Sequence, residues 1–107
     1  MLQRKYRLHA KDTIATTQVL SSPLFLLRIG KNQYEYNRIG VVVSKKVDTR
    51  AVIRNKVKRL ILLCLERLQE TKKGYDMLFI LRKPITEKTQ EEIYEIIKKL
   101  LTKEGYL

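Results

Sequence analysis

The sequence predicts an α+β protein, an α/β two-layer sandwich with helices packed on one small mixed β-sheet. Three observations carry this. Apolar and β-branched runs around residues 24–29, 38–44 and 75–83 are short enough for strands. Two longer segments, about 49–70 and 89–104, repeat their apolar residues at helical spacing. Strands and helices alternate instead of forming separate blocks, in the order α-β-β-α-β-α. At 107 residues the chain reads as one domain, residues 1–107.

Residues 1–10 read as a loosely held basic arm. The segment "KDTIATTQVL" (11–20) is expected to be the first helix, capped by Asp12 or Thr13, although three threonines lower its propensity. "SSP" ends it. "PLFLLRI" and "RIGVVVS" then read as two strands joined by the turn-rich "GKNQYEYN", a hairpin carrying Tyr34 and Tyr36, whose rings could stack on RNA. "YDMLFILRK" is a third strand, expected to be covered on both faces. In the last helix Thr89 and Glu92 fit a capping box, with Thr86 as the other candidate cap. Ile93, Ile96, Ile97, Leu100 and Leu101 form the apolar stripe, and Gly105 ends it.

Net charge sets the chain apart. Twenty-three Lys and Arg against 11 Asp and Glu give +12, an excess that repels itself in the folded state unless a polyanion offsets it. The charge is concentrated: residues 45–59 carry seven cations and one carboxylate, whereas residues 84–104 carry four Lys and five Glu. Such asymmetry implies a basic face. Cys64 is the only cysteine, so no internal disulfide and no Cys-based metal site is expected. The start has no apolar run of a signal peptide, and no stretch approaches the ~20 apolar residues of a membrane span. A cytoplasmic protein without a membrane partner is expected.

On a helical wheel Ile53, Val57, Leu60, Ile61, Cys64 and Leu68 gather in one stripe and anchor the helix. Arg50, Arg54 and Lys58 form a row along one flank, Asn55 and Arg59 point away from the core, and Lys56 lies on the other flank. Like charges at i, i+4 cost about 0.2–0.5 kcal/mol each, and Arg50 lies near the end of the helix dipole that disfavours a cation. A locally unfavourable design of this kind points to a nucleic-acid surface over a merely solvated face.

The same stretch, "VSKKVDTRAVIRNKVKRLI" (43–61), resembles the signature of the bacterial ribonuclease P protein component. That family carries Ala-Val-x-Arg-Asn-Arg-x-Lys-Arg after Ser-Lys-Lys. Here Ser44, Lys45, Lys46, Ala51, Val52, Arg54, Asn55, Lys58 and Arg59 match, Lys56 replaces an Arg, and Leu62-Leu63 replaces a common Arg-Glu. "ILRKP" (80–84) and the closing helix also fit the family layout, whereas Asp12 is followed by Thr13 and not by the family's usual Phe.

The resemblance implies a sandwich with a left-handed crossover at the basic helix, and removal of the 5′ leader from precursor tRNA. The chemistry would belong to a catalytic RNA with magnesium, the protein itself binding no cofactor and taking no small-molecule substrate. The residues agree: His9 is the single histidine, and no catalytic constellation, Gly-rich phosphate loop or metal-ligand spacing stands out. Lys45, Lys46, Arg50, Arg54, Asn55, Lys56, Lys58 and Arg59 would meet the catalytic RNA. A cleft between the first helix and the sheet, with Phe25 or Leu27 and Val41 or Val43, would hold the leader, plain core being the other reading of those four. The alternative function is a non-enzymatic RNA-binding module, such as a small ribosomal or assembly protein. A helix-based DNA binder is disfavoured because no turn-linked second helix precedes the basic one.

Overall fold

Alternation is what builds the sheet. The computed structural model describes residues 6–8, 14, 16–68 and 70–107. Four strands, β1 (Thr16–Ser21), β2 (Phe25–Lys31), β3 (Arg38–Val42) and β4 (Tyr75–Leu81), form one sheet in the order β1-β2-β4-β3. The helices are α1 (Ala51–Arg67) and α2 (Gln90–Lys103), and a short 3-10 turn spans Lys83–Glu87. The α+β sandwich is therefore the architecture, with helix α1 crossing between the parallel strands β3 and β4.

Two expectations for the first half are corrected. Over residues 16–20 the first helix is replaced by strand β1; its expected caps, Asp12 and Thr13, lie outside the described residues, as does His9. Leu20 is buried and Val19 is 54% exposed, a period of two that suits β-branched Thr and Val better than a helix does. "SSP" is accordingly a hairpin turn: Ser22 Oγ accepts from the backbone N–H of Leu24 and Phe25 at 3.1 and 3.2 Å. The second correction concerns the expected hairpin of β2 with β3. Strand β4 lies between them, antiparallel to β2 and parallel to β3. Lys31 pairs with Tyr75 at one end and Phe25 with Leu81 at the other, and β4, supplied from beyond α1, is an interior strand beside β2.

One face of the sheet carries Leu20, Phe25, Leu27, Ile29, Ile39, Met77, Phe79 and Leu81 into the core. There they meet Val57, Ile61 and Cys64 of α1 and Ile93, Ile97 and Leu101 of α2. Both predicted stripes therefore point inward. The opposite face of β4 is only half covered, at Leu78 and Ile80, and not enclosed as expected.

Helix α2 ends as its sequence requires. Thr89 Oγ1 accepts from Glu92 N–H at 3.2 Å, and the Glu92 carboxylate accepts from Thr89 N–H at 3.1 Å; Thr86 instead donates to Lys83 C=O. At the other end Gly105 adopts φ 84°, which lets Tyr106 N–H reach Leu101 C=O at 2.8 Å in a Schellman closure. Helix α1 is shorter than expected, stopping at Arg67 with Leu68 as its cap.

Candidate nucleic-acid interface

Helix α1 enters from a turn at the end of β3. Ser44 C=O accepts from Val47 N–H at 3.0 Å, Val47 drops into the core, and Lys45 and Lys46 are left exposed. The helix has no side-chain cap and no acid in its first turn. Asp48 compensates. Its carboxylate accepts from Arg50 N–H at 2.8 Å and from the Arg50 guanidinium at 3.1 and 3.0 Å. Those hydrogen bonds hold the Asp48 carboxyl down to about 2 and raise the Arg50 guanidinium above its ordinary value. Arg54 folds back, donating to the carbonyls of Asp48 and Thr49 at 3.1 and 2.7 Å.

Beside Lys45 and Lys46 of the turn, the six other predicted cationic and amide residues fall into two groups. Arg50 and Arg54 brace the helix entrance while presenting charge, Arg54 being half-buried. Asn55, Lys56, Lys58 and Arg59 are exposed on the helix itself. Asn55, Lys58 and Arg59 also line a groove of about 450 Å³ between α1 and the outer strand β3. Its other wall is formed by Leu8, Ile39, Gly40 and Val41, with Arg7 beside them. Leu8 is held there because its N–H donates to Ile39 C=O at 2.8 Å, next to a parallel bridge between Arg7 and Ile39. Gly40 is needed for that approach: a Cβ would lie 2.9 Å from both Leu8 Cβ and Leu78 Cδ1.

Of the four apolar cleft candidates, only Val41 lines this groove. Phe25 and Leu27 have no exposed surface; their registers opposite Leu81 and Phe79 turn them into the core. Those two are corrected to core residues. Val43 is half-buried against the same core. Leu62 and Leu63, which replace the charged pair common in the motif, extend the groove, and Leu63 is 37% exposed. Their signal was present in the sequence, as apolar residues off the buried stripe. Among the described residues no group of three or more His, Cys, Asp or Glu could hold a metal ion, and no helix is long and apolar enough to cross a membrane.

The family profile for ribonuclease P matches residues 2–105. The chain belongs to the ribonuclease P protein family. A ribonuclease P protein component from Clostridium botulinum (strain 657 / Type Ba4) is 44% identical over 87 residues, covering 79% of this chain and 78% of the relative. One from Bacillus cereus (strain 03BB102) is 30% identical over 110 residues, 97% of this chain and 95% of its own. The Staphylococcus aureus RNase P protein superposes with a TM-score of 0.77 at 22% identity, covering 94% of this chain and 96% of that one. The RNase P protein from Thermotoga maritima superposes with a TM-score of 0.69 at 29% identity, covering 78% and 80%. The nine signature residues from Ser44 to Arg59 therefore sit within a ribonuclease P protein, the protein component of a ribonucleoprotein endoribonuclease.

Proposed function

We propose that this chain binds the catalytic RNA of ribonuclease P through the exposed cations of α1 and of the turn before it. In the same proposal the α1–β3 groove receives the single-stranded 5′ leader of precursor tRNA. The observation that carries the reading is the two-sided groove, with Asn55, Lys58 and Arg59 on one wall and Leu8, Ile39 and Val41 on the other. Cations on the first wall attract phosphates, and the apolar wall accepts base faces, the combination by which proteins hold unpaired strands. Lys45, Lys46, Arg50, Arg54 and Lys56 extend the positive field around the helix entrance. Magnesium acts with the RNA and the protein contributes binding, in the cytoplasm where tRNA matures.

Reconstitution tests this. Purified protein with a ribonuclease P RNA is expected to cleave precursor tRNA at lower magnesium than that RNA needs alone, and the protein alone is expected not to cleave. Binding without any change in cleavage would favour the non-enzymatic RNA-binding module. Magnesium-dependent cleavage by RNA-free protein would overturn the division of labour.

A further inference from the structure

The loop between β2 and β3 is tied down more firmly than a connection requires. Asn32 Oδ1 accepts from Tyr34 N–H at 2.8 Å, and Asn32 Nδ2 donates to Tyr36 C=O at 3.2 Å and to Asp76 at 2.9 Å. Asn37 donates to Lys72 C=O and accepts from Tyr75 N–H, both at 2.8 Å. Held on this frame, the rings of Tyr34 and Tyr36 stack with centroids 5.0 Å apart and planes 21° apart, and Tyr6 meets Tyr36 edge-on at 5.0 Å. The Arg38 guanidinium lies 5.1 Å from the Tyr34 ring centre, yet Tyr34 remains 46% exposed.

The Tyr6–Tyr36 part of this ladder stands at the end of the groove already described, and Tyr34 stacks on Tyr36 beyond it. Tyr6 and Tyr36 line a second cavity of about 710 Å³, and it shares Ile39, Leu62 and Glu66 with the first. The two are continuous along α1 from Asn55 to Leu65, about 15 Å at 1.5 Å per residue. At a stacked rise of ~3.4 Å that length spans roughly four bases. One end is cationic. The other is aromatic, with Glu35 and Lys73 beside it and Glu66 lying between the two ends; the carboxylates can accept hydrogen bonds from base amino groups.

We propose that Tyr34 and Tyr36 form a base-stacking subsite for an unpaired nucleobase of single-stranded RNA whose phosphates lie along Lys58 and Arg59. The proposal rests on the groove reading and adds to it where the strand ends and how a base is held. Prior ordering of the ladder lowers the entropy lost on binding, since the two rings need no rearrangement.

The test uses short single-stranded RNAs carrying 2-aminopurine at each position in turn; with no tryptophan in the chain, the probe can be excited apart from the protein. Wild type is expected to quench the probe strongly at one position. Tyr34→Ala should lose that quench and weaken binding at least about fivefold, at an unchanged salt dependence, because stacking releases no counterions. Tyr34→Phe should behave as wild type, and Tyr34→Leu, which keeps apolar bulk on the loop, should behave as Tyr34→Ala. Arg59→Ala should weaken binding with a shallower salt dependence and keep the position-specific quench. If Arg59→Ala weakens binding while Tyr34→Ala and Tyr34→Leu match wild type, the subsite is overturned and the groove stands. If none of the three weakens binding, both fall.

Discussion

Arg38 and Asp76 sit side by side on neighbouring strands and meet fork to fork, Nε 2.8 Å from Oδ1 and Nη2 2.7 Å from Oδ2. Their side chains are only 18% and 6% exposed, and Asn32 adds a third bond to the carboxylate. The pair locks β3 to the interior strand β4 and, through Asn32, fixes the loop carrying Tyr34. It thereby holds both the groove wall and the aromatic ladder in place.

Removing the Asp76 carboxylate takes the bidentate ion pair away from a largely covered Arg38. Asp76→Ala is expected to cost about 3–5 kcal/mol, read from urea unfolding. Burial raises the Asp76 carboxyl, but hydrogen bonds from Arg38 and Asn32 outweigh it and hold the pKa below 3.8. With the folded value depressed, the contribution is complete above the unfolded pKa and is lost as pH falls through the folded one. Wild type should therefore lose stability on acidification below 3.8 more steeply than Asp76→Asn. Parallel acid titrations of the two proteins would refute the coupling.

Much of this was legible in the residues. The stripes of α1 and α2, the capping box at Thr89 and the helix-ending Gly105 are local patterns, and each lies where its spacing put it. Strand order was not legible, because β4 enters between β2 and β3 from a segment some 35 residues downstream of β3, and no local pattern encodes that insertion. Phe25 and Leu27 were undecidable for the same reason: a strand with apolar residues on both faces needs its partner to say which face is buried. Asp76 carried no signal in the sequence, because its partner Arg38 lies 38 residues away in the chain.

Asp48 is the one carboxylate within the basic stretch, and it holds Arg50 by three hydrogen bonds. Asp48→Asn should free that guanidinium and raise the net charge by one. RNA affinity is expected to rise at low salt, and the slope of log K against log[salt] to steepen by about one contact, ~0.7–0.9. An unchanged slope would mean that Arg50 does not reach phosphate.

Arg54 and Arg59 should separate in stability. Arg54 bonds the carbonyls of Asp48 and Thr49, so Arg54→Ala loses a brace at the helix entrance, about 1 kcal/mol in unfolding experiments, as well as a cation. Arg59 is exposed in the groove, and Arg59→Ala should leave stability within about 0.5 kcal/mol. Both should make the salt slope shallower by about one contact. Equal melting temperatures in the two variants would show that the Arg54 bonds contribute nothing to folding.

Asn55 gives the sharpest separation of binding from folding. It is exposed on α1, lines the groove beside Lys58 and Arg59, and lies off the stripe formed by Val57, Ile61 and Cys64. Its amide both donates and accepts, which suits a base edge or a ribose hydroxyl better than a phosphate. Asn55→Ala should weaken RNA binding by about 1 kcal/mol, the worth of one hydrogen bond. The salt slope should stay as it is, since no charge is removed. Ala suits a helix interior better than Asn, so melting temperature should hold or rise slightly. Filter binding across a salt series and a thermal melt on this one variant measure all three quantities. A clear fall in melting temperature with affinity intact in the folded fraction would make Asn55 a structural residue and remove it from the interface.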